Sequence, residues 1–91
     1  MNVYAVILNE HVENNPIWDR AKEISVHFYS LTDSAALLVP NKENNLTETI
    51  AKALGMNNEE KTFGVIVKVD SYFGYNYPSV WEWMKNAIEQ P

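Results

Sequence analysis

The chain has no cysteine, one arginine and no long apolar run, and each absence narrows what its 91 residues can do. Without cysteine there are no disulfides, no thiolate metal ligands and no cysteine nucleophiles. Small secreted domains commonly depend on disulfides, so a cytosolic protein is favoured. No apolar stretch approaches the roughly 20 residues that span a bilayer, and the N-terminus lacks the pattern of a signal peptide. The sequence therefore predicts a cytoplasmic protein without a membrane span.

Positive charge is also scarce, since seven basic and twelve acidic side chains give a net charge of −5. Tight nucleic-acid binding depends largely on clustered lysine and arginine side chains that neutralise phosphates. The lysines of this chain are scattered, which argues against direct binding of DNA or RNA. Its acidity serves solubility or a basic protein partner. An apolar content of 46% with 21% charge is typical of a globular chain, here one domain over residues 1–91.

Strand and helix signals alternate along the chain. Strands are predicted over residues 2–8, 26–31, 35–39 and 62–69, where β-branched, aromatic and other apolar side chains predominate. Helices are predicted to begin at three capping signals and to end near residues 24, 55 and 89; the signals are Asn15-Pro16, Asn45 with Glu48, and Ser79 with Glu82. This order predicts an α+β fold of the split β-α-β, or ferredoxin-like, type. Its antiparallel sheet has the strand order 4-1-3-2, two helices on one face and an added C-terminal helix.

The first strand is apolar on both faces, as expected for a central strand that is covered on both sides. Two helices cover one face of such a sheet. The other face is predicted to carry Tyr4, Val6, Leu8, Leu38 and Ile66. An apolar patch of this size is rarely left in water on a monomer, so either the third helix folds across it or a second protomer packs against it. We expect these five residues to form the oligomer interface of a homodimer, the commonest closed assembly.

Six of the eleven aromatic side chains fall between residues 70 and 85, namely Tyr72, Phe73, Tyr75, Tyr77, Trp81 and Trp83. Tyrosine and tryptophan are enriched in protein-binding hot spots. Aromatic rings also stack bases, although no basic groove accompanies these. The segment is interpreted either as a latch that holds the third helix on the sheet or as a partner-binding surface. Gly55 and Gly74 are both predicted to have positive φ.

A catalytic site has only a weak signal. Glu10, His11 and Glu13 follow the first strand, and His27 begins the second strand. If these positions meet at one end of the sheet, they supply the groups of a divalent-metal or acid–base site. The spacing matches no metal-binding signature, so no metal site or cofactor is predicted, and Glu10, His11 and His27 are retained only as candidate catalytic residues.

The small single domain and its element order up to about residue 69 resemble the compact ferredoxin-like proteins of the Cas2 and VapD type. The resemblance implies a dimer, and the nuclease members of that group carry an acidic residue just after the first strand. In the segment Leu8-Asn9-Glu10, Asn9 occupies that position and Glu10 follows one residue later, so no catalytic residue is carried over.

These patterns favour a non-enzymatic, cytosolic interaction or regulatory module that binds another copy of itself or another protein. The alternative is a metal-dependent nuclease or other hydrolase that uses Glu10, His11 and His27.

Overall fold

The computed structural model describes residues 1–10 and 15–89. Within these ranges the elements are β1 (Tyr4–Leu8), α1 (Ile17–Glu23), β2 (Ser25–Thr32), β3 (Ala35–Pro40), a 3₁₀ turn (Lys42–Asn44), α2 (Thr47–Ala53), β4 (Gly64–Lys68) and α3 (Pro78–Glu89). All strand pairs are antiparallel, in the order β2-β3-β1-β4. Read from the opposite edge, the order is β4-β1-β3-β2. The predicted α+β class with a four-stranded antiparallel sheet and three helices is confirmed.

The helix starts agree only in part with the predicted caps. At α1, the side-chain oxygen of Asn15 accepts the backbone N–H of Ile17 at 3.0 Å. The predicted Asn45 cap of α2 is wrong, because the cap residue is Leu46, which makes no side-chain cap hydrogen bond. Asn45 instead accepts a hydrogen bond from the hydroxyl of Tyr4 at its backbone oxygen, at 3.2 Å. Helix α3 begins at Pro78, one residue before Ser79, so Ser79 lies inside the helix and not at the predicted cap position.

Helices α1 and α2 pack on one face of the sheet, hereafter the helix face. The even-numbered side chains of β1 and β3 point to this face, where Val6 and Leu38 are fully buried with Ile50 and Leu54 of the second helix. Full burial of such aliphatic side chains stabilises a fold by roughly 1.5–3 kcal/mol each. This layer is therefore the main core of the protein.

The helix face contains all five residues that the sequence assigned to an oligomer interface, Tyr4, Val6, Leu8, Leu38 and Ile66. The first four are buried, and Ile66 packs against them. This assignment is corrected, because α1 and α2 already cover these side chains. The error has a physical cause: both faces of β1 are apolar, so the composition of the strand does not show which face lies beneath the crossover helices.

Odd-numbered residues of β1, β3 and β4 point to the opposite face of the sheet, hereafter the outer face. Helix α3 packs over the β2–β3 side of the outer face, where Met84 and Ala87 are buried against Leu37 and Val39. At the start of α3, the hydroxyl oxygens of Tyr29 and Ser79 lie 2.7 Å apart. The sequence left two alternatives for the second apolar face, coverage by the third helix or by a second protomer. Helix α3 covers part of that face, which is the outer face. Among the described residues, none of the helices combines the length and apolar character needed to cross a membrane.

The C-terminal end of α2 forms a Schellman motif around Gly55. The N–H of Met56 bonds to the carbonyl oxygen of Ala51 at 3.0 Å, and the N–H of Gly55 bonds to that of Lys52 at 3.1 Å. Gly55 has a φ of 75°, the left-handed conformation that this motif requires. The predicted role of Gly55 is confirmed. Gly74 lies outside the positive-φ region, so that part of the prediction is wrong.

Candidate interaction surface

The residues proposed for a metal or acid–base site do not converge. Glu10 follows the end of β1, where Leu8 pairs with Gly64. His27 pairs with Val39, one position beyond the Phe28–Leu38 pair that lies level with Tyr4 at the start of β1. Because β3 is antiparallel to both β1 and β2, these two strands are parallel and start at the same end of the sheet. The expected meeting of Glu10 with His27 is therefore wrong.

The other members of that candidate site, His11 and Glu13, lie outside the described residues. Within residues 1–10 and 15–89, no group of three histidine, cysteine or carboxylate side chains is placed to hold a metal ion. Only one side-chain pair in this part of the chain has resolved pKa shifts. Arg20 of α1 donates hydrogen bonds to Glu60 in the segment before β4, which raises the pKa of Arg20 and lowers that of Glu60. Both side chains are about half exposed, as expected for a surface ion pair joining two elements.

The part of the outer face that α3 leaves uncovered is apolar. It carries Ile7, Phe63, Val65 and Val67, whose exposed fractions are 45%, 63%, 52% and 43%. Ile7 pairs directly with Val65 across β1 and β4, and odd-numbered side chains share a strand face. These four residues therefore form one contiguous surface, hereafter the open patch. Contiguous exposed apolar surface of this kind marks interaction sites in soluble proteins.

The open patch exists because α3 lies to one side of the outer face. Trp83 of α3 packs against Tyr29 of the edge strand β2, with ring centroids 5.9 Å apart, and Trp83 also contributes to the cluster around Met84. These contacts hold the helix over β2 and β3. The outer side chains near the end of β1 and along β4 are left without a covering helix.

The segment from Ser71 to Tyr77 is hereafter called the aromatic loop. The residues predicted to bind a partner lie in this loop and in α3, and the structure separates them into two groups. Tyr72 stacks on Trp81, with centroids 6.1 Å apart and ring planes 15° apart. Trp81 and Trp83 are half-buried in α3. These rings act as the latch of the first interpretation. Phe73, Tyr75 and Tyr77 lie in the second group: Phe73 and Tyr75 are fully exposed, and Tyr77 is largely exposed.

A groove of about 420 Å³ lies between the aromatic loop, α3 and the outer face of the sheet. Its lining includes Val67, Tyr72, Phe73, Trp81 and Met84. Val67 belongs to the open patch and Phe73 to the aromatic loop, so the groove connects the two surfaces. Among the described residues, the exposed apolar surface is thus concentrated around β4 and the segment that follows it.

Strand β4 also forms an edge of the sheet. The N–H of Val69 bonds to the carbonyl oxygen of Val3, and the carbonyl oxygen of Phe63 accepts the N–H of Asn9. Backbone groups alternate in direction along an antiparallel strand. Odd-numbered residues of β4 therefore bond to β1, and the N–H and C=O groups of Gly64, Ile66 and Lys68 point away from the sheet.

Phe63, Val65 and Val67 fall within the strand predicted over residues 62–69, but the sequence did not identify their face of that strand as the exposed one. A usable signal was present, because one C-terminal helix of about eleven residues is too short to cover a four-stranded sheet. The side-chain direction that decides between the two faces was available only from the strand register.

The chain matches no family model, no curated protein and no solved structure.

Proposed function

We propose that the protein is a non-enzymatic interaction or regulatory module that self-associates through its outer face. Its scaffold is the split β-α-β, ferredoxin-like arrangement with an added C-terminal helix. The observation that carries the proposal is the open patch, four half-exposed apolar side chains, together with the fully exposed Phe73 and Tyr75 of the aromatic loop. Aromatic and aliphatic side chains concentrated in this way contribute most of the binding energy in protein interfaces.

The distribution of polar groups supports an interaction role more than a catalytic one. A general acid–base pair must come within hydrogen-bond reach of one substrate, whereas Glu10 and His27 lie at opposite ends of the sheet. This separation argues against the alternative of a metal-dependent nuclease that uses Glu10 and His27. The absence of cysteine supports action in a reducing compartment such as the cytoplasm.

Sedimentation equilibrium in the micromolar range tests self-association directly. We expect the wild-type protein to show a mass above that of one chain, rising with concentration. Val65→Asp places a charge in the open patch, and because Val65 is half exposed, the monomer should keep its fold. We expect this variant to sediment as a monomer at concentrations where the wild type is associated.

Val26→Asp is the matched control, since Val26 is also a half-exposed valine on an edge strand, at the other side of the sheet. It should associate like the wild type. A wild-type protein that remains monomeric throughout would contradict self-association. Equal loss of association in both variants would mean that added negative charge, not the open patch, controls assembly.

A further inference from the structure

We propose that two copies of the chain join through their β4 strands, antiparallel and with Ile66 opposite Ile66, to make one continuous eight-stranded sheet. This proposal rests on the self-association proposed above and specifies how it occurs. Edge strands carry unpaired backbone groups and pair readily with a second chain unless they are protected. The two edges of this sheet differ in such protection.

The β2 edge is irregular. Its pairing with β3 has register shifts between Ser25 and His27 and between Ser30 and Thr32. Bulges of this kind bend an edge strand and interrupt the ladder that a second chain would need. This edge is poorly suited to pairing with a second chain.

The β4 edge is regular. Five successive pairs from Lys68 to Gly64 align with β1 without a shift. The strand contains no proline and no bulge, and its outward backbone groups belong to Gly64, Ile66 and Lys68. Antiparallel pairing about Ile66 would place Gly64 opposite the partner's Lys68, so that all three positions form hydrogen-bonded pairs.

The side chains fit this register. On the outer face, Val65 lies opposite the partner's Val67, and Phe63 lies opposite the partner's Val69. On the helix face, Lys68 lies beside the partner's Gly64, which has no side chain of its own to oppose the lysine stem. Cross-strand pairs of β-branched and aromatic residues stabilise a sheet.

Charges favour the antiparallel arrangement over a parallel one. In the register about Ile66, Lys68 lies opposite the partner's Gly64, and Asp70 lies opposite the partner's Thr62. A parallel pairing in register would set Lys68 against Lys68 and Asp70 against Asp70, which is destabilising for directly opposed like charges. The antiparallel pair sets no like charges directly opposite each other.

The exposed surface beside β4 is large enough for a stable dimer. An aromatic side chain buries 150–250 Å², so the exposed portions of Phe63, Phe73, Tyr75 and Tyr77 offer roughly 500–850 Å². A standard interface buries roughly 800 Å² on each partner. Phe73 lines the same groove as Val67 and Lys68. Pairing therefore brings the aromatic loop of each copy toward the partner's Val65 and Phe63.

The chain has no cysteine, so single introduced cysteines report the register. Val65 and the partner's Val67 form a non-hydrogen-bonded pair with a Cα separation of about 4.5 Å, which a disulfide can bridge. Val65 and the partner's Val65 are diagonal neighbours at about 7–8 Å, beyond normal disulfide geometry.

We expect a mixture of Val65→Cys and Val67→Cys proteins, one carrying a size tag, to form mixed disulfide dimers much faster than either protein alone. Val26→Cys mixed with either protein is the control and should remain uncrosslinked.

Lys68→Pro is a second, independent test. The N–H of Lys68 points away from β1, so proline removes a donor of the proposed dimer and none of the β1–β4 ladder. We expect circular dichroism and thermal unfolding of a dilute sample to match the wild type, with dimer affinity reduced at least tenfold.

A wild-type dimer with neither the mixed disulfide nor sensitivity to Lys68→Pro would overturn β4 pairing while leaving self-association intact. Faster crosslinking of Val65→Cys alone would indicate another register or face-to-face packing and would also overturn it. A wild-type monomer would overturn both proposals.

Discussion

At the scale of single residues, Gly55 occupies a position where an added side chain would meet both close neighbours and backbone strain. A Cβ atom built on Gly55 would lie 3.0 Å from Nη1 of Arg20 and would collide with Oε2 of Glu60. The φ of 75° adds backbone strain for any L side chain. We expect Gly55→Ala to lower the free energy of unfolding by about 1 kcal/mol or more, measured by urea denaturation.

Gly74→Ala is the matched control for that substitution. Gly74 has no positive φ, and an added Cβ would meet only Cη2 of Trp81, at 3.9 Å, an ordinary contact. Its free energy of unfolding should stay within about 0.5 kcal/mol of the wild type. A loss in Gly74→Ala as large as that in Gly55→Ala would show that the aromatic loop needs glycine for its backbone.

The ion pair between Arg20 and Glu60 predicts a pH dependence. The hydrogen bond from Arg20 lowers the pKa of Glu60 below its ordinary value of 4.5. A carboxyl group whose pKa is lower in the folded state stabilises the fold above its unfolded pKa, and this contribution is lost as the pH falls through the folded value. We expect the difference in unfolding free energy between the wild type and Glu60→Gln to be present at pH 7 and to disappear as the pH falls below 4.5 toward the lowered pKa.

Urea denaturation across this pH range measures the effect, and Glu59→Gln controls for the loss of one negative charge in the same segment. A difference that is constant with pH would mean that the carboxylate of Glu60 is not held by Arg20 in solution. The pair is exposed, so added salt should also reduce the difference.

At the scale of elements, α3 owes its position to a few buried side chains. Met84 is 2% exposed and packs in the outer-face cluster with Val3 and Leu37. We expect Met84→Ala to lower the free energy of unfolding by about 2–5 kcal/mol, because it opens a cavity beneath the helix. Ile88→Ala, on the same helix but 40% exposed, should cost much less. Thermal unfolding followed by tryptophan fluorescence, which reports on Trp81 and Trp83, distinguishes the two; equal effects would contradict the observed orientation of α3.

Element types and their order were predictable because local patterns specify them. The apolar residues of β1 and the Gly55 stop of α2 are strong local signals, and the structure follows them. Helix caps were less predictable because tertiary contacts compete for the capping groups. The side-chain oxygen of Asn45 accepts a hydrogen bond from the Tyr4 hydroxyl, and the Ser79 hydroxyl pairs with that of Tyr29; both partners are distant in sequence.

At the scale of the whole molecule, the assignment of the two sheet faces was the main error of sequence interpretation. A residue such as Val6 looks the same in sequence whether it points toward a helix or toward solvent. Its burial at 0% exposure, against 52% for Val65, depends on strand register and on where α3 comes to rest. Both are global properties, so the exposed apolar surface could be expected from the sequence but not located. The predicted meeting of Glu10 and His27 was wrong for a related reason, because it depended on the relative direction of β1 and β2.

The different regularity of the two sheet edges would also limit how far the proposed assembly can grow. In a pair joined through β4, the regular edge of each chain is consumed, and the outer edges of the particle are the two bulged β2 strands. Neither presents the even ladder on which a third chain could add. A symmetric contact that uses the same edge twice closes on itself, whereas contact between two unlike edges would propagate as a fibre. Growth of the proposed dimer should therefore stop at two chains, because the irregular β2 strand would block open-ended addition of further copies.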